Sequence, residues 1–95
     1  MWDDPRFGEL SEKFRLRAAG EAAELRLALQ QRDVPRVRSL AHSLAGAAGT
    51  FGFQAISDLA LPLDEAAGEG VDFDQMQRLA KPLLDAVDAL DRLSR

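Results

Sequence analysis

Leu10, Phe14, Ala18, Ala22, Leu25 and Leu29 recur at intervals of three and four residues, the spacing of one face of an α-helix. The same spacing returns three more times. Val37, Leu40, Ala41, Leu44, Ala48 and Phe51 form a second stripe, and Ile56, Leu59, Ala60, Leu63 and Ala67 a third. Phe73, Met76, Ala80, Leu83, Val87 and Leu90 form the fourth. A single apolar stripe has to be buried against another element, so four of them call for one another. Valine and isoleucine are few and never alternate over a useful length, which leaves no strand signal. The periodicity predicts helices from about Phe7 to Arg32, Pro35 to Thr50 or Phe51, Phe53 to Ala67, and Phe73 to Leu93.

The breaks between the stripes have their own chemistry. At Asp33-Val34-Pro35, Asp33 or Val34 precedes the second helix and Pro35 suits its first turn. Gly68-Glu69-Gly70 ends the third helix in the manner of a C-cap, and Asp72 is placed to cap the fourth. Pro62 and Pro82 fall inside helices, where a proline removes one hydrogen bond and tends to kink the axis. Gly20 weakens the first helix by about 1 kcal/mol relative to alanine. Short connections between amphipathic segments describe an all-α, antiparallel up-down four-helix bundle, expected to occupy residues 1–95 as one domain.

Charge and composition narrow the partners. The formal net charge is −4 and the isoelectric point about 4.9, which argues against nucleic acid, whose binders present a basic face. No apolar run approaches the roughly 20 residues that cross a bilayer, so no membrane partner is expected. Met1 to Pro5 lack the basic and apolar regions of a secretory leader, and the cytoplasm is the expected compartment. There is no cysteine and only one histidine. A metal site at that histidine would need two or three further ligands, so neither a metal nor a cofactor is expected. No G-x-x-x-x-G-K-[ST] loop occurs, which excludes a kinase built on that motif.

The single histidine, His42, lies in the second predicted helix. At about 100° per residue it falls about 140° from the centre of the apolar stripe, on the far side. It should therefore face solvent. Its row-mates at three, four and seven residues are Arg38, Ser39, Ala45, Gly46 and Gly49. Beyond His42 the strip then carries almost no side-chain bulk. Two mid-helix glycines cost roughly 2 kcal/mol relative to alanines, and a surface strip has no packing need for them. Clearance is the physical reading: small residues let another protein approach the imidazole. Arg32, Arg36 and Arg38 either form an ordinary solvated face or give an acidic protein one basic spot for a carboxylate-rich partner.

His42-x-Leu44-x-Gly46, with Gly52 six residues later, resembles the signature of histidine-containing phosphotransfer (HPt) domains. The resemblance covers most of the chain, including the proline-started second helix, the Ala41-His42 pair and Leu61-Pro62-Leu63-Asp64-Glu65 in the third helix. It implies a four-helix bundle in a two-component phosphorelay. His42 would accept a phosphoryl group from a phosphoaspartate of a response-regulator receiver domain, in a reversible step. Arg38, Ser39, Ala45, Gly46 and Gly49 would face phosphate or partner, and Gly52 would end the helix. The receiver would bring both the aspartate and magnesium, since the carboxylates are not expected to cluster around His42, and a hybrid sensor kinase is a further candidate partner. The domain would be a phosphoryl carrier without kinase activity of its own. Ser43, where sensor-kinase helices resemble one another in an acidic residue after the histidine, disfavours autophosphorylation. One departure stands out: family members commonly carry lysine three residues after the histidine, and here that residue is Ala45. Arg38, one turn earlier, is the candidate substitute. The resemblance favours a monomer, while Trp2, Leu16 and Leu27 leave room for self-association. The alternative is an adaptor that binds a signalling partner through the same face and moves no phosphate.

Overall fold

The computed structural model describes residues 5–93, and the side chains of residues 11–92. Four helices follow in order: α1 (Pro5–Gln30), α2 (Val34–Thr50), α3 (Gln54–Glu69) and α4 (Phe73–Leu93). Each packs on the next and α4 returns to α1, while among the described residues the backbones of the diagonal pairs α1/α3 and α2/α4 do not approach closely. This is the ring of an antiparallel four-helix bundle, as the four stripes require. No described helix is long and apolar enough to cross a membrane.

Three of the helices end by one device. Arg32, Gly52 and Gly70 each adopt a left-handed conformation, with φ of 54°, 85° and 71°. The following amide then reaches back along the helix: Asp33 donates to the Ala28 carbonyl, Phe53 to Ala48 and Val71 to Ala66. Such bonds satisfy carbonyls that the helix leaves without partners. Glycine takes this conformation without penalty; Arg32 does not, and its guanidinium lies over the Phe73 ring at 4.9 Å, a cation–π contact that offsets part of the cost. The left-handed turn at Arg32 stops α1 at Gln30 rather than at Arg32. The glycine cap of α3 falls on Gly70, so that helix runs to Glu69, past Ala67 and through Gly68.

At the start of α2 the Asp33 carboxylate accepts from the Arg36 amide at 3.2 Å, and Pro35 occupies the first turn, where no amide is needed. Asp72 accepts from the Asp74 amide at 3.5 Å, the long limit of such a bond. The prolines do not break their helices. Pro62 and Pro82 are exposed, and α3 and α4 continue past them; each ring removes one backbone bond on the solvent side.

Phe14, Leu25, Val37, Leu44, Leu63, Met76, Leu83 and Val87 form the fully buried centre. Phe14 stacks on Phe53 with centroids 4.7 Å apart and meets Phe51 at 5.7 Å, closing one end of the core. Between these large side chains the helices meet through alanines: Ala18, Ala22, Ala41, Ala48, Ala60 and Ala80 are all buried. Among the described residues Ser57 is the one buried polar residue, and its hydroxyl donates to the Ala45 carbonyl at 3.0 Å. That bond joins α3 to α2 directly. The α1–α4 seam is bridged by longer groups, Arg15 to Asp91 at 2.7 Å and Arg26 to Asp88 at 2.6 Å. Arg15 also bonds Glu12 and holds that carboxyl below its ordinary range. Leu16 and Leu27 are exposed on α1, joined by Leu61 on α3. Trp2 lies outside the described residues, as does the side chain of Leu10.

Candidate functional site

α2 turns its apolar stripe inward, and that orientation decides where His42 points. Val37, Leu40, Ala41, Leu44 and Ala48 are buried and Phe51 is half-buried against the same core. His42 is opposite, with its side chain 80% exposed. The ring is nevertheless held. Its Nδ1 lies 2.9 Å from Asp64 Oδ2, and Asp64 on α3 is itself only 17% exposed in its side chain. A carboxylate can only accept, so the proton of this bond belongs on Nδ1. In the neutral ring, the other nitrogen, Nε2, then carries the lone pair. The short bond fixes ring orientation and tautomer together.

The second oxygen of Asp64 faces Arg38, whose Nε is 3.6 Å from Oδ1. Asp64 therefore stands between the cation and the imidazole. Pro35, Arg38, Ser39, His42 and Asp64 line a shallow cleft of about 330 Å³. Ser43, next to His42, accepts from Arg17 Nη2 at 2.9 Å. Of the three arginines in the basic segment, Arg32 is spent on Phe73, and Arg36 pairs with Glu24 at 3.2 Å. Only Arg38 of those three reaches the histidine cleft.

Gly46 and Gly49 are exposed on the same strip as His42. A methyl group added at Gly46 would meet nothing within 4 Å, and at Gly49 only the Ser57 hydroxyl at 3.7 Å, an ordinary contact. Packing inside the chain requires a glycine at neither position. Gly52 takes the left-handed turn described above.

One reading of the sequence needs correction. Ala45 is not on the open strip; it is buried at 6% exposure. It lies about 60° round the helix from His42, on the side where α3 packs, and the Ser57 hydroxyl is bonded to its carbonyl. A helical wheel drawn for one stripe places a shoulder residue outside, but a neighbouring helix covers it. One carboxylate does meet His42, and helical spacing did not anticipate it: Asp64 contacts the ring directly. Helical spacing within α2 could not reveal a partner 22 residues away on α3. The available signal was a charged residue inside an apolar pattern, since Asp64 lies between Ala60, Leu63 and Ala67, all of which are buried. Among the described residues, no group of three or more histidine, cysteine, aspartate or glutamate side chains is placed to hold a metal ion.

A family model described as the Hpt domain matches residues 9–94. No curated protein and no solved structure matches the chain.

Proposed function

The chain belongs to the Hpt domain family, and on that footing we propose that His42 is the phosphoacceptor through which it carries a phosphoryl group between receiver-domain aspartates. Family membership supports a histidine phosphotransfer role in a phosphorelay, and a phosphocarrier rather than a kinase. The observation that carries the assignment to His42 is its geometry. The chain's one histidine is exposed, while its Nδ1 is engaged by Asp64 at 2.9 Å.

In the proposed step the Nε2 lone pair attacks the phosphorus of an aspartyl phosphate on the partner. The N–P bond forms as the acyl O–P bond breaks, and that electron pair returns to the partner's carboxylate. The Nδ1 proton stays on the ring, facing Asp64, so no proton need leave. Asp64 balances the positive charge the ring acquires, a stabilisation that grows as the transfer proceeds. Run backwards, the same atoms deliver the group to a second aspartate. Phosphoryl transfer of this kind depends on positioning and charge neutralisation more than on covalent chemistry. The receiver supplies the aspartate and its magnesium. A cytoplasmic carrier fits this partnership.

Incubation with phosphorylated receiver domains tests the proposal. Wild type should acquire acid-labile, alkali-stable label, and His42→Gln should acquire none while melting like wild type. Equal labelling of His42→Gln would sink the assignment. Binding to receivers with no label on wild type would make the domain an adaptor instead.

A further inference from the structure

Gly68 has no role in ending α3. The helix continues through it to Glu69, and the left-handed turn falls on Gly70. A glycine in a continuing helix is weaker than alanine, so its presence needs another reason. A Cβ built on Gly68 would stand 3.0 Å from Arg38 Cζ, 3.1 Å from Nε and 3.2 Å from Nη2. Three atoms of one planar group at nearly equal distance place the guanidinium flat against the glycine. Its Nε also faces Asp64 Oδ1 at 3.6 Å. Arg38 is thus bounded by α3 in two directions, yet its side chain remains 61% exposed, in the cleft that it shares with His42.

Resting on the phosphocarrier reading above, we propose that Gly68 and Asp64 are positioning residues that seat Arg38 as the cation neutralising the phosphoryl oxygens on His42. A guanidinium held in one plane presents its N–H donors as a fork suited to phosphate oxygens. Ala45 is buried and uncharged, so it cannot fill this need. Arg17, which reaches Ser43 beside His42, is committed to that hydroxyl and to Glu21 at 2.9 Å. Seating also limits the entropy lost when phosphate arrives, because a free arginine would have to be ordered at that moment. Gly68 contributes by absence: a Cβ there makes the guanidinium give way, and a longer side chain takes more of its place.

The test uses phosphoramidate as donor, so that no receiver surface is involved. Nε2 forms its bond to phosphorus as the donor's P–N bond breaks and the electron pair leaves with ammonia. Labelling rates are compared for wild type, Arg38→Ala, Gly68→Ala, Gly68→Leu, the Arg38→Ala/Gly68→Leu double variant and Arg17→Ala, with thermal melts of each. Arg38→Ala and Gly68→Leu should each slow labelling by roughly three- to tenfold, the scale of one exposed charge-assisted contact. The double variant should be no slower than Arg38→Ala, because Gly68 acts only through Arg38. Arg17→Ala should label at the wild-type rate. Gly68→Ala should melt no lower than wild type while labelling more slowly, which a merely structural role would not produce. Labelling of Gly68→Leu at the wild-type rate, or an equal loss with and without Arg38, overturns the seating. Failure of wild type to label at all, with His42→Gln as its control, overturns the phosphocarrier reading and this inference with it.

Discussion

α2 presents two surfaces with opposite demands. On the inner one Val37, Ala41, Leu44 and Ala48 are fully buried, and Leu40 nearly so. On the outer one Arg38, His42, Gly46 and Gly49 are exposed, and a methyl group at Gly46 would meet nothing within 4 Å among the described residues. The inner residues are chosen by the chain's own packing, so a change there is felt as lost stability. The outer residues are free of that constraint, and a change there is felt by whatever the protein meets. The two surfaces are still mechanically linked. A closely packed inner face fixes the rotation of the helix and therefore the direction of His42. Asp64 extends the same logic across the seam, since a side chain largely buried on α3 holds one on the open face of α2.

The largest expected effect is on the inner face. Leu44 is fully buried, and Leu44→Ala should lower the unfolding free energy by about 2–5 kcal/mol, through lost transfer energy and the cavity left behind. Urea denaturation measures it. Val37, Ala41 and Ala48 still hold the rotation of the helix, so labelling of His42 in the molecules that stay folded should proceed at the wild-type rate. A slower rate in the folded fraction would mean that the inner face tunes the chemistry directly, and the division between the surfaces would fail.

A smaller effect is expected where the two helices touch. Ser57 donates a buried hydrogen bond to the Ala45 carbonyl at 3.0 Å. Ser57→Ala should cost roughly 0.5–1.5 kcal/mol, the net worth of such a bond. The Ala45 carbonyl remains an acceptor within its own helix, and alanine's better helix propensity offsets part of the loss. Urea midpoints again provide the measurement. A loss above about 2 kcal/mol would mark this one contact as fixing the α2–α3 spacing, rather than the alanines around it.

The sequence made these surfaces legible to different degrees. Helix existence, the inner stripe of α2 and the outward direction of His42 follow from a 3.6-residue period, which a single helix carries in full. The capping of α2 by Asp33 and the turn at Gly52 follow from local chemistry. What period and local chemistry lack is the neighbouring helix. Ala45 is covered because α3 lies against the shoulder of α2, not because of its angle from the stripe. Asp64 meets His42 across the seam, and Gly68 meets Arg38 the same way. Gly68-Glu69-Gly70 invites a conformational reading, yet only Gly70 is left-handed. For Gly68 the missing Cβ matters as space, which becomes visible only when the opposing guanidinium is in place.

Gly46 sharpens the comparison with the smallest change. Its position is interior to α2, and an added methyl group is unopposed by the chain. Gly46→Ala should therefore raise stability, by about 0.5–1 kcal/mol, through reduced freedom of the unfolded backbone. If the bare strip exists for close approach of a receiver, the same variant should accept phosphate from a receiver more slowly. It should accept it from phosphoramidate at the wild-type rate, because a small donor needs no flat surface. Gly68 is expected to behave differently, slowing both donors by moving Arg38. Two glycines exposed near one histidine would then be separable, one by partner access and one by cation placement. Unchanged transfer from receivers in a stabilised Gly46→Ala would leave that glycine without a docking role, and the open strip would shrink to His42 and its cleft.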